Sequence, residues 1–432
     1  MIGMFLLFAL LILGSESESY LFGMKSRDNT IGNIQQIEKE YKLDIPIVSF
    51  IFDPRGPEVE KLMSGLNSKL WEDKIYHISI SPNMLTAKEV AAGKFDTQYT
   101  QFFKDVKKHN LRVIFRTMHE MNGGRYPRSS NPYRFKKARI HVRDLSRAEG
   151  LDQNNILFDM SVNARDLPAK WGKPSQKAVF IQCQQNLKNK LNCPTFEEYY
   201  PGDTYVDLMG VTFYNRGKGN SNRRRGTPDQ IVNAAGRKTL DRLKKFDKPI
   251  FVDEVGTTAV NYTWAYNFTK SLEVYENNKS LKNARLLQLK DFLLRETRIV
   301  GAIYFNVDLT NGLKNWTLWE LDRSVIDFAS NKFYDKILDI YEAGKPNETN
   351  ALYYLFNIKR VTLNNKTFLI QSDYAKPVKD LYLFTTTYIS GLTAQLDFLE
   401  TTKKNWSLSK KYKRFDSGDL SNIVDATRKF FE

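Results

Sequence analysis

The chain has 432 residues, of which 41% are hydrophobic and 13% aromatic, so it can build one large domain and a small one around an ample core. That composition excludes an intrinsically disordered chain. A formal charge of +16 admits a polyanionic partner, but the basic residues are spread widely with no nucleic-acid-binding signature beside them, so a solvated basic surface is expected and nucleic acid is not.

In chain order, residues 1–14 read MIGMFLLFALLILG, an apolar run of signal-peptide length that is short for a membrane span. Residues 1–17 are expected to direct export or to stay as an N-terminal anchor. The protein would then be secreted or cell-surface, touching a membrane only through that segment. From there, short apolar runs predict eight strands at 20–23, 46–52, 75–80, 111–117, 155–161, 206–214, 249–254 and 300–306. Continuous apolar runs, rather than alternation, suit parallel strands buried on both faces. Helices are predicted at about 31–41, 97–109, 228–246, 281–297 and 324–343. Another starts at Pro132, with Phe135, Ala138, Val142 and Leu145 spaced by three and four.

Eight strands alternating with helices over residues 18–345 point to a (β/α)8 barrel. A doubly wound open sheet is the fallback, though neither a GxGxxG fingerprint nor a P-loop occurs. Past the polar stretch at 344–350 the pattern changes to a hairpin-like Val361–Leu363, Asn364-Asn365, Thr367–Ile370, so residues 351–432 read as a small, mainly β appendage. The two cysteines, Cys183 and Cys193, could pair in an exported chain or remain thiols. Sequons at Asn261, Asn267, Asn278, Asn315, Asn347, Asn365 and Asn405 matter only if the host glycosylates secreted proteins.

The chemistry concentrates at two strand ends. Arg116-Thr117-Met118-His119-Glu120-Met121-Asn122-Gly123-Gly124 follows the fourth strand, and Asp253-Glu254 ends the seventh. A carboxylate just past a barrel strand is where such folds place catalytic groups, and two of them are the minimum equipment for glycoside hydrolysis. Alternation along the strand predicts that Asp253 turns away from the mouth-facing Glu254. His119-Glu120 is not half of a zinc HExxH motif, because position 123 is Gly, and no GxSxG elbow occurs. No metal or cofactor is expected.

Five blocks together resemble glycoside hydrolase family 26, the β-mannanases and related endo-glycanases. They are Ala91 to Asp96 (AAGKFD), Arg116 to Gly123 with Tyr126-Pro127, Tyr200 to Gly210 running into Phe213-Tyr214-Asn215, Pro249 to Gly256, and Phe305-Asn306 with Asn315-Trp316. The resemblance implies a retaining mechanism with Glu120 as general acid/base and Glu254 as nucleophile. It also implies that His119 and Tyr214 support them, Tyr214 by hydrogen bonding towards the nucleophile. Arg116 and Asn163, at strand ends, could hold the carboxylates or sugar hydroxyls. Trp316 belongs to the expected sugar contacts. Mannanases often carry a Trp platform where this chain has Arg125, and an Asp where it has Thr212. With Arg128, Arg216, Lys218 and Arg223-Arg224-Arg225 in the loops after strands four and six, these departures suggest an acidic or substituted glycan, since Arg grips carboxylates in a fork. Solvated loop charges remain the equal alternative. The expected partner is a polysaccharide or oligosaccharide, bound by a monomer. A non-hydrolytic carbohydrate-binding protein on the same barrel is the other reading.

Overall fold

In the computed structural model, the described residues are 20–25, 31–52, 74–80, 86–123, 131–164, 194–215, 226–234, 238–257, 279–305, 339–341, 343–344, 350–356, 358–363 and 366–371. The N-terminal apolar run, both cysteines, all the sequons, Arg125, Trp316 and the basic loop residues from Arg128 to Arg225 named above lie outside them. Among the described residues no helix is long and apolar enough to cross a membrane.

Eight strands close into a barrel in the order of the sequence: β1 (Leu21–Lys25), β2 (Ile47–Phe52), β3 (Ile75–Ile80), β4 (Arg112–Thr117), β5 (Ile156–Asn163), β6 (Leu208–Asn215), β7 (Ile250–Thr257) and β8 (Ile299–Phe305). All eight pairings are parallel, and β8 returns to β1 from Leu21↔Gly301 to Lys25↔Phe305. This is a (β/α)8 barrel. Every residue of β1, β3 and β7 is buried, as strands covered on both faces require.

The helices are α1 (Ile31–Tyr41), α2 (Ala87–Ala91), α3 (Asp96–Lys108), α4 (Pro132–Ala148), α5 (Pro228–Val232), α6 (Thr239–Leu243), α7 (Lys279–Arg295) and α8 (Ala351–Leu355). In α4 the Asn131 side chain caps the N-terminus by accepting from the Arg134 N–H at 2.9 Å, and Pro132 supplies the first-turn geometry. Its buried face carries Phe135, Ala138 and Val142, with Leu145 packed partly buried against the core, and Arg139, Arg143 and Ser146 are buried there as well. Both arginines lie over the Phe158 ring, with guanidinium carbons 5.9 and 4.4 Å from its centroid.

Where one helix is predicted over 228–246, two short ones form. Lys238 takes φ +46°, and Asn233 exchanges hydrogen bonds with Asp241, receiving its N–H at 3.2 Å. A right-handed helix cannot run through a residue in the left-handed region. Between the barrel and α3, Phe102, Phe103, Phe115 and Phe158 form a buried aromatic cluster, with Phe115 edge-on to Phe158 at 5.2 Å. This packing fixes β4 and β5, the two strands that carry half of the site.

The chain divides between Phe356 and Asn357. Helix α8 falls in the first unit, with Leu352 and Phe356 fully buried, whereas the sequence reading opened the appendage at residue 351. In the second unit, β9 (Ile358–Leu363) and β10 (Lys366–Gln371) pair antiparallel, Leu363 opposite Lys366.

Candidate active site

The barrel interior is polar where apolar branched residues usually fill it. On β5, Asp159, Ser161 and Asn163 recur at every second position, and on β6 so do Gly210, Thr212 and Tyr214. Ser161 pairs with Gly210 and Asn163 with Thr212, so these six residues form neighbouring inward rungs. Arg116 of β4 crosses this space fully buried. It donates from Nε to Ser79 Oγ at 2.7 Å, from Nη1 to Ser161 Oγ at 3.4 Å and from Nη2 to Glu254 Oε1 at 2.5 Å.

The chain turns sharply after β4. Met118 and Glu120 both sit in the left-handed region at φ +52°, an uncommon conformation for residues with side chains. The Glu120 N–H is tied to the Ser161 carbonyl at 2.9 Å. Asn122 then mimics a strand rung, donating to the Asn163 carbonyl at 2.9 Å and accepting its N–H at 2.8 Å. These contacts overdetermine the strained turn, and they hold the Glu120 carboxyl inward, 3% exposed. Its Oε1 accepts from Asn163 Nδ2 at 2.8 Å and from Thr212 Oγ1 at 2.5 Å.

Glu254 is held differently. Oε1 takes the Arg116 guanidinium, and Oε2 accepts from the Tyr214 hydroxyl. Burial by itself would push the Arg116 guanidinium down, but Glu254, Asp253 and Asp159 outweigh it and keep it firmly protonated. The Tyr214 ring meets Phe305 edge-on at 5.7 Å, which fixes its direction. Thr212 is the strand partner of Glu254. Two successive inward rungs of β6, Thr212 and Tyr214, therefore hold the two glutamates.

Asp253 corrects the expectation from alternation. Val211 pairs with Val252 and Thr212 with Glu254, so Asp253 is an extra residue in β7. Such a bulge re-aims side chains. Asp253 points across the barrel to β3, its Oδ1 3.0 Å from His77 Nε2, while the next residue, Glu254, faces Arg116. The His77 ring continues to Ser49 Oγ, 2.8 Å from Nδ1. Burial holds the His77 imidazole below its usual range against the pull of Asp253, so the ring is neutral. His77, Asp159 and Asp253 bring ligand-type atoms within 4.8 Å of one another, all buried, which is the cation-sized grouping among the described residues.

Of the residues expected from sequence, Glu120, Glu254, Arg116, Asn163 and Tyr214 come together here, and His119 is buried beside them. Sequence reasoning missed Ser79, Ser161, Asn122 and His77, and noted Thr212 only as a departure. An aspartate from each of two motif blocks braces the barrel. Asp96 pairs with His141 of α4 at 2.7 Å. Asp207 pairs with Arg143 at 2.7 Å and accepts the Phe158 N–H at 2.6 Å, after a turn whose Gly202 has φ +112°.

A closed parallel barrel with two buried glutamates at the C-terminal ends of β4 and β7, each on its own set of donors, is the framework of a barrel glycoside hydrolase. The chain belongs to glycosyl hydrolase family 26, whose family model matches residues 27–291, more than half of it. It is 24% identical over 206 residues to Endoglucanase H of Acetivibrio thermocellus, covering 45% of this chain and 20% of that protein. The chain thus spans about a fifth of that relative's length. Among solved structures, it is similar to an endo-β-1,4-mannanase double mutant from Cellulomonas fimi, with 12% identity, 77% of this chain and 74% of the other covered, and a TM-score of 0.46. A β-mannanase from a symbiotic protist of the termite Reticulitermes speratus, complexed with gluco-manno-oligosaccharide, matches at 14% identity over 61% and 87% of the two chains, TM-score 0.38. GH26A from a Muricauda species matches at 18% identity over 57% and 80%, TM-score 0.39.

Proposed function

We propose that the protein is a retaining endo-glycanase that cleaves internal β-glycosidic bonds of a polysaccharide, with Glu254 as nucleophile and Glu120 as general acid/base. The observation that carries this reading is the asymmetry between the two donor sets. A guanidinium and a phenol on separate oxygens hold and aim the Glu254 carboxylate, as attack on an anomeric carbon requires. Among the described residues, the neutral donors Asn163 and Thr212 both reach Glu120 on Oε1, so the acid form would carry its transferable proton on Oε2.

In the first step Oε2 of Glu120 would protonate the leaving glycosidic oxygen while a Glu254 oxygen bonds to the anomeric carbon. In the second, Glu120, now anionic, would take a proton from water as that water displaces Glu254. The Asn163 and Thr212 donors stabilise the anionic form of Glu120 that each cycle passes through. Tyr214 and Arg116 stay with Glu254 as its charge spreads into the sugar.

For the substrate, β-mannan or a substituted, acidic glycan fits the family and the basic loops, and action outside the cell fits the apolar N-terminus. The test is hydrolysis by the purified protein of mannan, mixed-linkage and cellulosic β-glucans, and uronate-bearing polymers, beside Glu254→Ala. Cleavage that is lost in the variant while polysaccharide binding persists supports the reading. Binding without hydrolysis by the unaltered protein would favour a carbohydrate-binding role on this barrel. Equal or better turnover of neutral mannan would remove the acidic-glycan preference.

A further inference from the structure

We infer that Asp159 and Asp253 form an acid–carboxylate pair sharing a single proton, held by His77, and that this pair is a positioning element beneath Arg116 and Glu254. Geometry comes first. A Cβ placed on Gly210 would lie 2.0 Å from Asp253 Oδ2 and 2.6 Å from both oxygens of Asp159, so the two carboxyls crowd together over a position that only glycine leaves open. Both residues are fully buried. Among the described residues, neither Asp159 oxygen nor Asp253 Oδ2 receives a hydrogen bond from a donor.

Buried carboxylate oxygens facing one another need a proton between them. The neighbouring contacts say which residue supplies it. The Ser49 hydroxyl can donate to Nδ1, and we place the hydrogen of the neutral His77 ring on Nε2, from which it donates to Asp253 Oδ1. Asp253 is then the anion, and its Oδ2 accepts from a protonated Asp159. Burial first, and Asp253 next, raise the Asp159 carboxyl well above the usual carboxylate range, against the pull of Arg116 and Arg139.

Charge counting agrees. The cations facing this cluster are Arg116 from β4 and Arg139 from α4, the latter lowered by burial to about 10 and still charged at neutral pH. Arg143 is engaged by Asp207. Against Arg116 and Arg139 stand Glu254, Asp253 and Asp159, and one proton on the aspartate pair makes two charges of each sign. A divalent cation among these three side chains would instead add two positive charges beside two guanidinium groups. The anion of the pair lies next in sequence to Glu254 and acts on Arg116, so it shares the guanidinium with the nucleophile and sets how strongly Arg116 holds it.

The experiment has a spectroscopic arm and a kinetic one, and only the kinetic arm rests on Glu254 being the nucleophile. In the infrared difference spectrum of the unaltered protein minus Asp159→Asn at neutral pH, a deuterium-sensitive protonated-carboxyl C=O band should be present, because the amide keeps a donor to Asp253 but has no acid proton. In the pH profile of kcat/KM, Asp253→Asn should move the acid limb to lower pH, since Arg116 is then no longer shared between Glu254 and Asp253. Asp159→Asn should leave that limb in place. A missing band, equal displacement of the limb by both variants, or failure of Asp159→Asn to fold would overturn the inference. So would a stoichiometric metal in the purified protein that both variants lose. If no glycoside is hydrolysed, the enzymatic reading fails while the infrared arm still decides the pair.

Discussion

Thr212→Val gives the sharpest consequence of the way Glu120 is held. The substitution preserves the side chain's shape and removes the hydroxyl that donates to Glu120 Oε1 at 2.5 Å, leaving Asn163 Nδ2 at 2.8 Å on the same oxygen. A hydrogen bond to an ionised carboxylate contributes about 1.5–3 kcal/mol, and it favours the charged form. Its loss disfavours the anionic form of Glu120, so the basic limb of the kcat/KM profile should move upward. If Glu120 is the acid of the proposed mechanism, negative charge builds on it as it gives up its proton, and kcat/KM at the plateau should also fall, by about four- to twelvefold if half of the bond's strength is lost in the transition state. The assay is a pH series on whichever polysaccharide proves to be cleaved, with thermal unfolding to confirm that the barrel is intact. A basic limb that stays in place or moves down would refute the role given to Thr212.

Other outcomes follow from neighbouring contacts. Tyr214→Phe removes the donor to Glu254 Oε2 and should lower kcat by about 10- to 100-fold with little change in KM, since a single hydrogen bond to a charged group is lost; steady-state kinetics separate the two terms. Gly210→Ala places a methyl group 2.0 Å from Asp253 Oδ2, and overpacking of a core costs about 1–3 kcal/mol or more, so its denaturation midpoint should fall well below that of the unaltered protein. Phe115→Ala empties the centre of the aromatic cluster and should cost about 3–5 kcal/mol in urea unfolding. Activity per folded molecule should persist there, because Phe115 points away from the polar interior.

Much of this barrel was legible because parallel strands buried on both faces read as apolar runs, and all eight fall within a few residues of their predicted places. The two glutamates were legible from their positions at strand ends. The polar interior was not, although its signal was present: Asp159, Ser161 and Asn163 alternate strictly with apolar neighbours, and Gly210, Thr212 and Tyr214 repeat the pattern. Reading those runs as uniformly apolar hid the rungs that carry the donors. Asp253 was misplaced for a different reason. A bulge is one residue of register between two strands, and nothing in the β7 sequence by itself announces it. The long helix predicted at 228–246 is broken before Thr239, where Lys238 takes a left-handed φ of +46° in a segment whose apolar spacing is otherwise helical.

The central claim is that Glu254 becomes covalently bonded to the sugar while Glu120 manages the proton. Its most direct measurement is to incubate the protein with activated 2-deoxy-2-fluoro gluco- and manno-glycosides, digest it, and locate the trapped sugar by mass spectrometry. The account predicts one sugar per chain, on the peptide containing Glu254 and on that side chain, with none formed in Glu254→Ala. A sugar attached to Asp253 or Glu120, or hydrolysis that releases product with inverted anomeric configuration, would contradict it.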